Sequence, residues 1–392
     1  MSLPNVTIIL GNGNIGTASV SDDGVAALLL TGAAVQGKFE LNKHSVLGSP
    51  SDLIKLGITS ENNSLIVKDV TAFYAEAGDG AELHLLAVPE ATTLTAMVAA
   101  AADSPIRKLL DPAAGRIRLV GLNRKCPNDY EAVTAGCMDK DVQTAVQGAQ
   151  SIAESYLTKI APVVFLVPAI KWNGSTENIY QPREGSQNMV SVILSSDGKV
   201  GNEQSANIGQ VLGRAAKVAV NVSIGRVADG SIAAEGYLMD GATPESHFAE
   251  WELLDDAGFI FFRTFIGKNG YYLNGDATAT ATTDDYCQLN LIRVIQKAAV
   301  VCYKTYIDSI LDNVDVDPAT GKLPAAMAKY YESLLTKAVN SDMSEEVSGF
   351  TPTIDPDQDL ITTKKLNVVA RIVPTATMRE IEVNLAFNNP NA

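Results

Sequence analysis

Residues 258–311 read GFIFFRTFIGKNGYYLNGDATATATTDDYCQLNLIRVIQKAAVVCYKTYIDSIL. Phe259 to Ile266 is an apolar run rich in aromatic residues, which suit a pleated surface. The chain then turns at Gly267-Lys268-Asn269-Gly270 and returns through Tyr271, Tyr272 and Leu273 to Asn274-Gly275, the punctuation of a β-hairpin. A threonine-rich span leads to Thr283 and Asp284, both good N-cap types, and a helical pattern then continues unbroken to about Asn313. Such a helix would be roughly 40 Å long at about 1.5 Å per residue. Arg293, Lys297, Lys304 and Asp308 fall on one narrow polar stripe, while Leu291, Ile292, Ile295, Ala298, Val301, Cys302 and Tyr306 fill the remainder. A helix so apolar must be covered on more than one side.

Upstream, short apolar strands alternate with helices. Helices are expected at 51–56, 64–77, 92–102, 139–160 and 205–220, with a last one starting at Thr243 or Glu245; strands are expected at 82–88, 117–122, 163–167 and 189–194. Pro162 closes the helix before it, because it lacks the amide that would continue the ladder. This alternation implies an α/β (mixed α+β) protein, a layered sheet with helices on its faces. Downstream, 324–339 reads as a helix and 351–358 as extended. Strands follow at 366–373 and 380–387, separated by Pro374 and polar residues. In the last strand Ile381, Val383, Leu385 and Phe387 share one face and Glu380, Glu382, Asn384 and Ala386 the other.

Composition narrows the function. With 46% hydrophobic and 19% charged residues and a mean hydropathy of +0.08, 392 residues can fill two or three cores, so the chain is foldable throughout. A net charge of −15 with no basic run argues against gripping nucleic acid and suits docking onto a partner with a basic face. Cys126, Cys137, Cys287 and Cys302 have no metal or redox spacing, and read as core thiols of a reducing compartment. The first ten residues, MSLPNVTIIL, lack the basic start and apolar length of a signal peptide, and no run is long enough to insert in a membrane. A protein made and kept in the cytoplasm is expected.

Sequences that resemble catalytic or binding motifs each lack a working part. Gly11-Asn-Gly-Asn-Ile-Gly16 follows a β-rich stretch at 5–10, but the residues after it make a turn where a dinucleotide fingerprint opens a helix. Gly32 to Phe39 nearly spells a phosphate loop, with Phe39 where a hydroxyl must meet magnesium. Asp355, Asp357 and Asp359 begin like a calcium loop, yet Leu360 replaces its glycine and Leu366 its bidentate glutamate. His44, His84 and His247 form no ligand pair, and no serine sits in a nucleophile elbow. No catalytic, cofactor or metal site is expected.

The tyrosine-rich hairpin, the threonine-rich span ending in Asp284-Asp285-Tyr286, and the helix carrying Arg293-Val294-Ile295 resemble the contractile tail sheath proteins of bacteriophages and phage-derived particles. So does the closing segment from Lys365, KLNVVARIVPTATMREIEVNLAFNNP. The likeness is to the branch found in Bacteroides-type prophages. It covers the last third well and the first half loosely, through Leu47-Gly48-Ser49-Pro50 and the run from Ala72 to Leu86. The resemblance implies a structural subunit, not an enzyme, that polymerises helically around an inner tail tube and contracts. It further implies baseplate and tail terminator proteins as partners, and a virion or phage-like particle assembled in the bacterial cytoplasm. In that family terminal segments of neighbouring subunits complete one sheet. On this chain the candidates are Val6, Ile8 and Leu10 at the front, and Val368, Ile372, Ile381, Val383, Leu385 and Phe387 at the back. The domains are then 1–25, a strand and loop; 26–257, an α/β domain; and 258–392, a sheath-like domain with terminal strands. Two other readings share parts of this pattern: an α/β ligand-binding protein or enzyme with its pocket at the strand ends, and a non-contractile adhesin or shell protein.

Overall fold

The computed structural model describes residues 22–198 and 205–388. The candidate strand with Val6, Ile8 and Leu10 and the glycine loop at 11–16 lie outside these residues. The chain divides into two compact units: residues up to Val220 with Ile224–Val300, and Asn221–Ser223 with Val301 onward.

The first unit is built on a seven-stranded sheet. Its strands are β1 (Ala26–Thr31), β2 (Ser45–Leu47), β3 (Leu83–Val88), β4 (Leu119–Asn123), β5 (Val164–Pro168), β6 (Val190–Ile193) and β7 (Phe259–Ile260). They lie in the order β7-β6-β5-β4-β1-β3-β2, all parallel except β2 against β3. The helices are α1 (Asp52–Lys55), α2 (Ser64–Ala77), α3 (Leu94–Met97), α4 (Pro105–Leu110), α5 (Lys140–Leu157), α6 (Ile208–Lys217) and α7 (Trp251–Ala257). Every residue of β1, β3, β4, β5 and β6 is buried. A parallel sheet covered on both faces needs such continuous apolar runs. The central strand β1 carries no periodic signal in the sequence, since its uninterrupted AALLLT has no polar face.

The stretch at 258–273 does two jobs. Phe259–Ile260 forms the edge strand β7, and only then do β8 (Phe262–Arg263) and β9 (Tyr272–Leu273) pair as the expected hairpin, Phe262 opposite Leu273. Asn274 ties the two parts together. Its Oδ1 accepts from Phe261 N at 2.8 Å, and its Nδ2 donates to Phe259 O at 3.0 Å and to Asp255 Oδ1 at 2.7 Å.

Several expected boundaries shift for local reasons. The helix expected at 92–102 shrinks to α3, held by Thr93 Oγ1 on Ala96 N and by the Asp141 carboxylate on Leu94 N and Thr95 N. The long helix, α8 (Leu289–Tyr306), is about 27 Å long rather than 40 Å, and one 3₁₀ turn, Ile307–Ser309, follows it. Asp284 does not cap it: its Oδ1 accepts from Tyr286 N at 2.7 Å in a turn, and the helix starts only where Leu289 N donates to Asp276 O. The polar stripe on α8 is also not a solvent face throughout. Arg293 is buried and donates to Val218 O, and Lys297 pairs with Asp23 at 2.8 Å. Of the cysteines only Cys126 is buried; the other three are partly exposed, Cys287 lies ahead of α8, and all four are free thiols.

Helices α2 and α6 cross at backbone contact. A Cβ at Gly209 would meet Asp69 O at 2.0 Å, and one at Gly213 would meet Phe73 O at 2.5 Å. The close approach lets the fully buried Asp69 carboxylate accept from Gly209 N at the start of α6 and from Asn123 Nδ2, while Lys68 Nζ sits 3.5 Å away. Burial still raises the Asp69 pKa above the ordinary carboxylate value against these partners. At the far end Arg214 Nε meets Glu76 Oε2 at 2.7 Å. Gly209→Ala is expected to cost about 1–3 kcal/mol by overpacking, whereas Gly48→Ala, whose Cβ would meet only Asp52 Oδ2 at an ordinary 3.8 Å, should lie within about 0.5 kcal/mol of the parent. Thermal unfolding of both variants checks this.

At the opposite edge, His44 Nε2 and His84 Nδ1 lie 2.6 Å apart beside β2, and His84 Nε2 lies 2.8 Å from Glu82 Oε1. Burial lowers both imidazole pKa values; His84 adds to this for His44, and Glu82 opposes it for His84. The unfolded chain therefore takes up protons first. Stability should be full above about pH 6.5 and decline as pH falls through the lowered folded values. Melting curves from about pH 7.5 to about pH 5 should show this slope, and His84→Gln should flatten it.

Candidate assembly surface

Strand order reverses at β1, whose neighbours are β3 and β4, and open α/β sheets bind ligands in the crevice at such a point. Here the chain's own polar groups occupy it. Thr31 Oγ1 accepts from Lys125 N at 2.8 Å, and Asn123 Nδ2 donates to both Asp69 and Ala206 O at 2.8 Å. Arg124 is buried, with its guanidinium 4.4 Å over the Tyr130 ring and 3.4 Å from Asp141. The segment after β1 closes on itself through the Val35–Phe39 bridge, with Phe39 buried and Ala33 N held by Asn63. The three aspartates near 357 are also spoken for. Asp355 accepts from Asp357 N, Asp357 pairs with Lys322 at 2.8 Å, and Asp359 caps Thr362 N.

The second unit has unmet surface of another kind. It contains α9 (Ala325–Asp342), β10 (Val347–Thr353), the single turn α10 (Leu360–Thr363) and β11 (Val369–Pro374). Strands β10 and β11 pair antiparallel, Phe350 opposite Ile372 and Thr353 opposite Val369. Leu323, Ala328, Tyr331 and Ile354 make a small core, against which Leu366 and the candidate Val368 pack half-buried. Glu332 fastens α9 to the hairpin: Ile354 N donates to its Oε1 at 2.8 Å, and Lys329 Nζ meets its Oε2 at 2.6 Å. Lys329 first, and the Ile354 amide second, hold the Glu332 carboxyl below its ordinary value.

Being two-stranded, this sheet leaves the outer edges of β10 and β11 without a strand partner among the described residues. An open groove of about 750 Å³ runs between α9 and β10, lined by Glu332, Thr336, Lys337, Phe350 and Pro352 among others. Strand β11 is uncovered on both faces, and Val369 and Val373 are exposed.

The strand expected at 380–387 does not form in the isolated chain. Residues 375–388 form no ladder, although the outer edges of β10 and β11 stand open. Its alternating apolar face is nevertheless there and fully presented: Ile381 is 74%, Val383 68%, Leu385 92% and Phe387 109% exposed. Of the back candidates, then, Val368 packs on the small core and Ile372 pairs within the hairpin, while the four from Ile381 to Phe387 are exposed. The sequence signalled this segment by its alternation, but the bare edges and the groove follow only from the fold.

The comparisons with known proteins bear on both units. The family model described as DUF2586, N-terminal domain, matches residues 3–277, and that described as DUF2586, C-terminal domain, matches residues 285–392. No curated protein matches the sequence. Among solved structures, the chain is similar to one in the 6-fold symmetrised baseplate of the anti-feeding prophage, at 14% identity and a TM-score of 0.63 over 99% of each chain. It is likewise similar to one in the contracted helical sheath of that particle, at 14% identity and 0.62 over 98% of this chain and 99% of the other. A third, in the contracted PVC sheath complex of an extracellular contractile injection system, matches at 14% identity and 0.59 over 100% and 99%. Over the described residues the fold is therefore similar to that of these chains of contractile particles.

Leu385→Ser and Phe387→Ser should leave the melting temperature of the isolated chain nearly unchanged, within about 0.5 kcal/mol, since neither side chain is buried. Leu335→Ala, in the interior of α9, should cost about 2–5 kcal/mol.

Proposed function

We propose that this chain, which belongs to the DUF2586 family, is the structural subunit of a contractile tail sheath. Copies polymerise helically around an inner tail tube and shorten to drive it through a target envelope. The observation that carries the reading is the exposed apolar alternation at 381–387 beside a two-stranded sheet with bare edges. A soluble chain keeps such a segment exposed when another copy covers it. The segment donates a strand to the sheet of a neighbour, with Ile381, Val383, Leu385 and Phe387 turned toward the acceptor. The hairpin with Val368 and Ile372 is the acceptor, and the N-terminal segment with Val6, Ile8 and Leu10 is a second donor. The full-length likeness to chains of contracted sheaths supports this, and the crevice filled by the chain's own polar groups supports a structural protein over an enzyme. The baseplate match supports a sheath that meets a baseplate; the tube and a tail terminator are its other proposed partners. The setting is a phage tail or phage-like particle assembled in the bacterial cytoplasm.

Deleting residues 380–392 tests the reading. Negative-stain microscopy of the parent, co-expressed with its neighbouring genes, should show hollow tubes, and the truncated chain should remain dispersed. Normal tubes from a soluble truncated chain would remove strand donation from this end, and dispersed parent protein would remove the sheath reading.

A further inference from the structure

The net charge of −15 is not spread evenly. Between Val227 and Phe262 the chain carries eight Asp and Glu and no Lys or Arg, whereas between Pro105 and Lys125 it carries six Lys and Arg and one Asp. Both blocks belong to the first unit.

The acidic block contains an outward-held phenylalanine, Phe248. The 3₁₀ segment Pro244–Glu250 runs into α7, and Phe248 and Leu253 are 70% and 42% exposed on it, flanked by exposed Glu252 and Asp256. Phe248 stands edge-on to Trp251 at 4.9 Å, and Trp251 cannot yield, because its Nε1 donates to Pro244 O and the Arg263 guanidinium lies 5.3 Å over its ring. Arg263 is backed in turn by Phe265 at 4.4 Å. This stack keeps Phe248 in water, an apolar centre with an acidic rim, which is the anatomy of a docking face.

Arg107 of the basic block meets Lys159 at the end of α5, on either side of Tyr156. The Tyr156 ring has the Arg107 guanidinium 6.0 Å and Lys159 Nζ 4.8 Å from its centre, and its hydroxyl donates to Asp111. Lys108 and Lys159 are exposed, and the carbonyl end of α5 favours cations there. Among the described residues neither lysine, nor Glu252 or Asp256, has an ion-pair partner.

We infer that the acidic face around Phe248 of one subunit docks on the basic end of α5, around Lys108 and Lys159, of a second copy. This rests on the sheath reading and adds to it a contact that involves no strand exchange. The occupant is a second copy because the chain carries both halves of the complement, and a head-to-tail contact of unlike surfaces propagates into a filament. Charge complementarity at a rim speeds and orients the encounter, and it weakens with salt.

The test is a charge swap. The pairs Glu252→Lys with Asp256→Lys, and Lys108→Glu with Lys159→Glu, are made separately and then combined, all at exposed positions. Sedimentation of polymer at about 0.1 M salt, within the range where surface charges still act, should fall about tenfold for each pair and recover to within about twofold of the parent in the combined variant. Parent polymer should also decline as salt is raised. Melting curves of the dispersed variants should match the parent, which separates lost docking from lost folding. Polymers unaffected by either pair, or a combined variant that does not recover, would overturn this contact and leave the sheath reading standing. A parent that never polymerises would overturn both.

Discussion

A β-strand is a shared object, because its amides and carbonyls are satisfied by another strand and not by itself. The second unit presents both halves of that requirement without joining them: a two-stranded sheet with open outer edges, and a segment with one apolar face and no strand partner among the described residues. The magnitudes say what joining them takes. Roughly four ladder hydrogen bonds, at about 0.5–1.5 kcal/mol net each, give only a few kcal/mol. Fixing eight backbone residues costs about 8–16 kcal/mol. Burying Ile381, Val383, Leu385 and Phe387 returns about 1.5–3 kcal/mol apiece, so side chains decide the outcome and the backbone only sets the register. A single junction comes out close to balance. The proposed polymer would hold because each subunit makes several junctions at once, while a lone junction leaves subunits dispersed.

The first unit is built to the opposite specification. Its parallel strands are buried on both faces, and α2 and α6 touch backbone to backbone through Gly209 and Gly213. The polar groups gathered where the strand order reverses, Thr31, Asn123 and Asp69, bind one another. A unit packed this tightly moves as a body. That suits a part that must keep its shape while its surroundings rearrange, and its charged faces can then act as fixed contacts.

Much of this was legible in the residues. The boundaries of α2 match the pattern at 64–77, where Gly78 ends the helical spacing of apolar residues. The hairpin followed from Gly267 to Gly270, and the one-sided terminal segment from strict alternation. Other elements were hidden for physical reasons. Strand β1 has no polar face to give it a period, so its central place was visible only in pairing. The start of α8 was misplaced because Asp284 satisfies a turn amide as readily as a helix amide. Arg293 and Lys297 looked solvent-facing, yet Val218 and Asp23, far away in sequence, hold them. The terminal segment reads as a one-sided strand from its alternation; the apolar face is there and exposed, but no strand forms over it.

Hydrogen exchange over the peptide covering residues 380–388 tests the central claim most directly, compared between dispersed protein and assembled particles. The account predicts that its amides exchange at near-unprotected rates in the dispersed chain and become protected on assembly, together with those of β10 or β11. Equally rapid exchange in intact, assembled particles would contradict it, since a strand shared between subunits cannot leave its amides open to water.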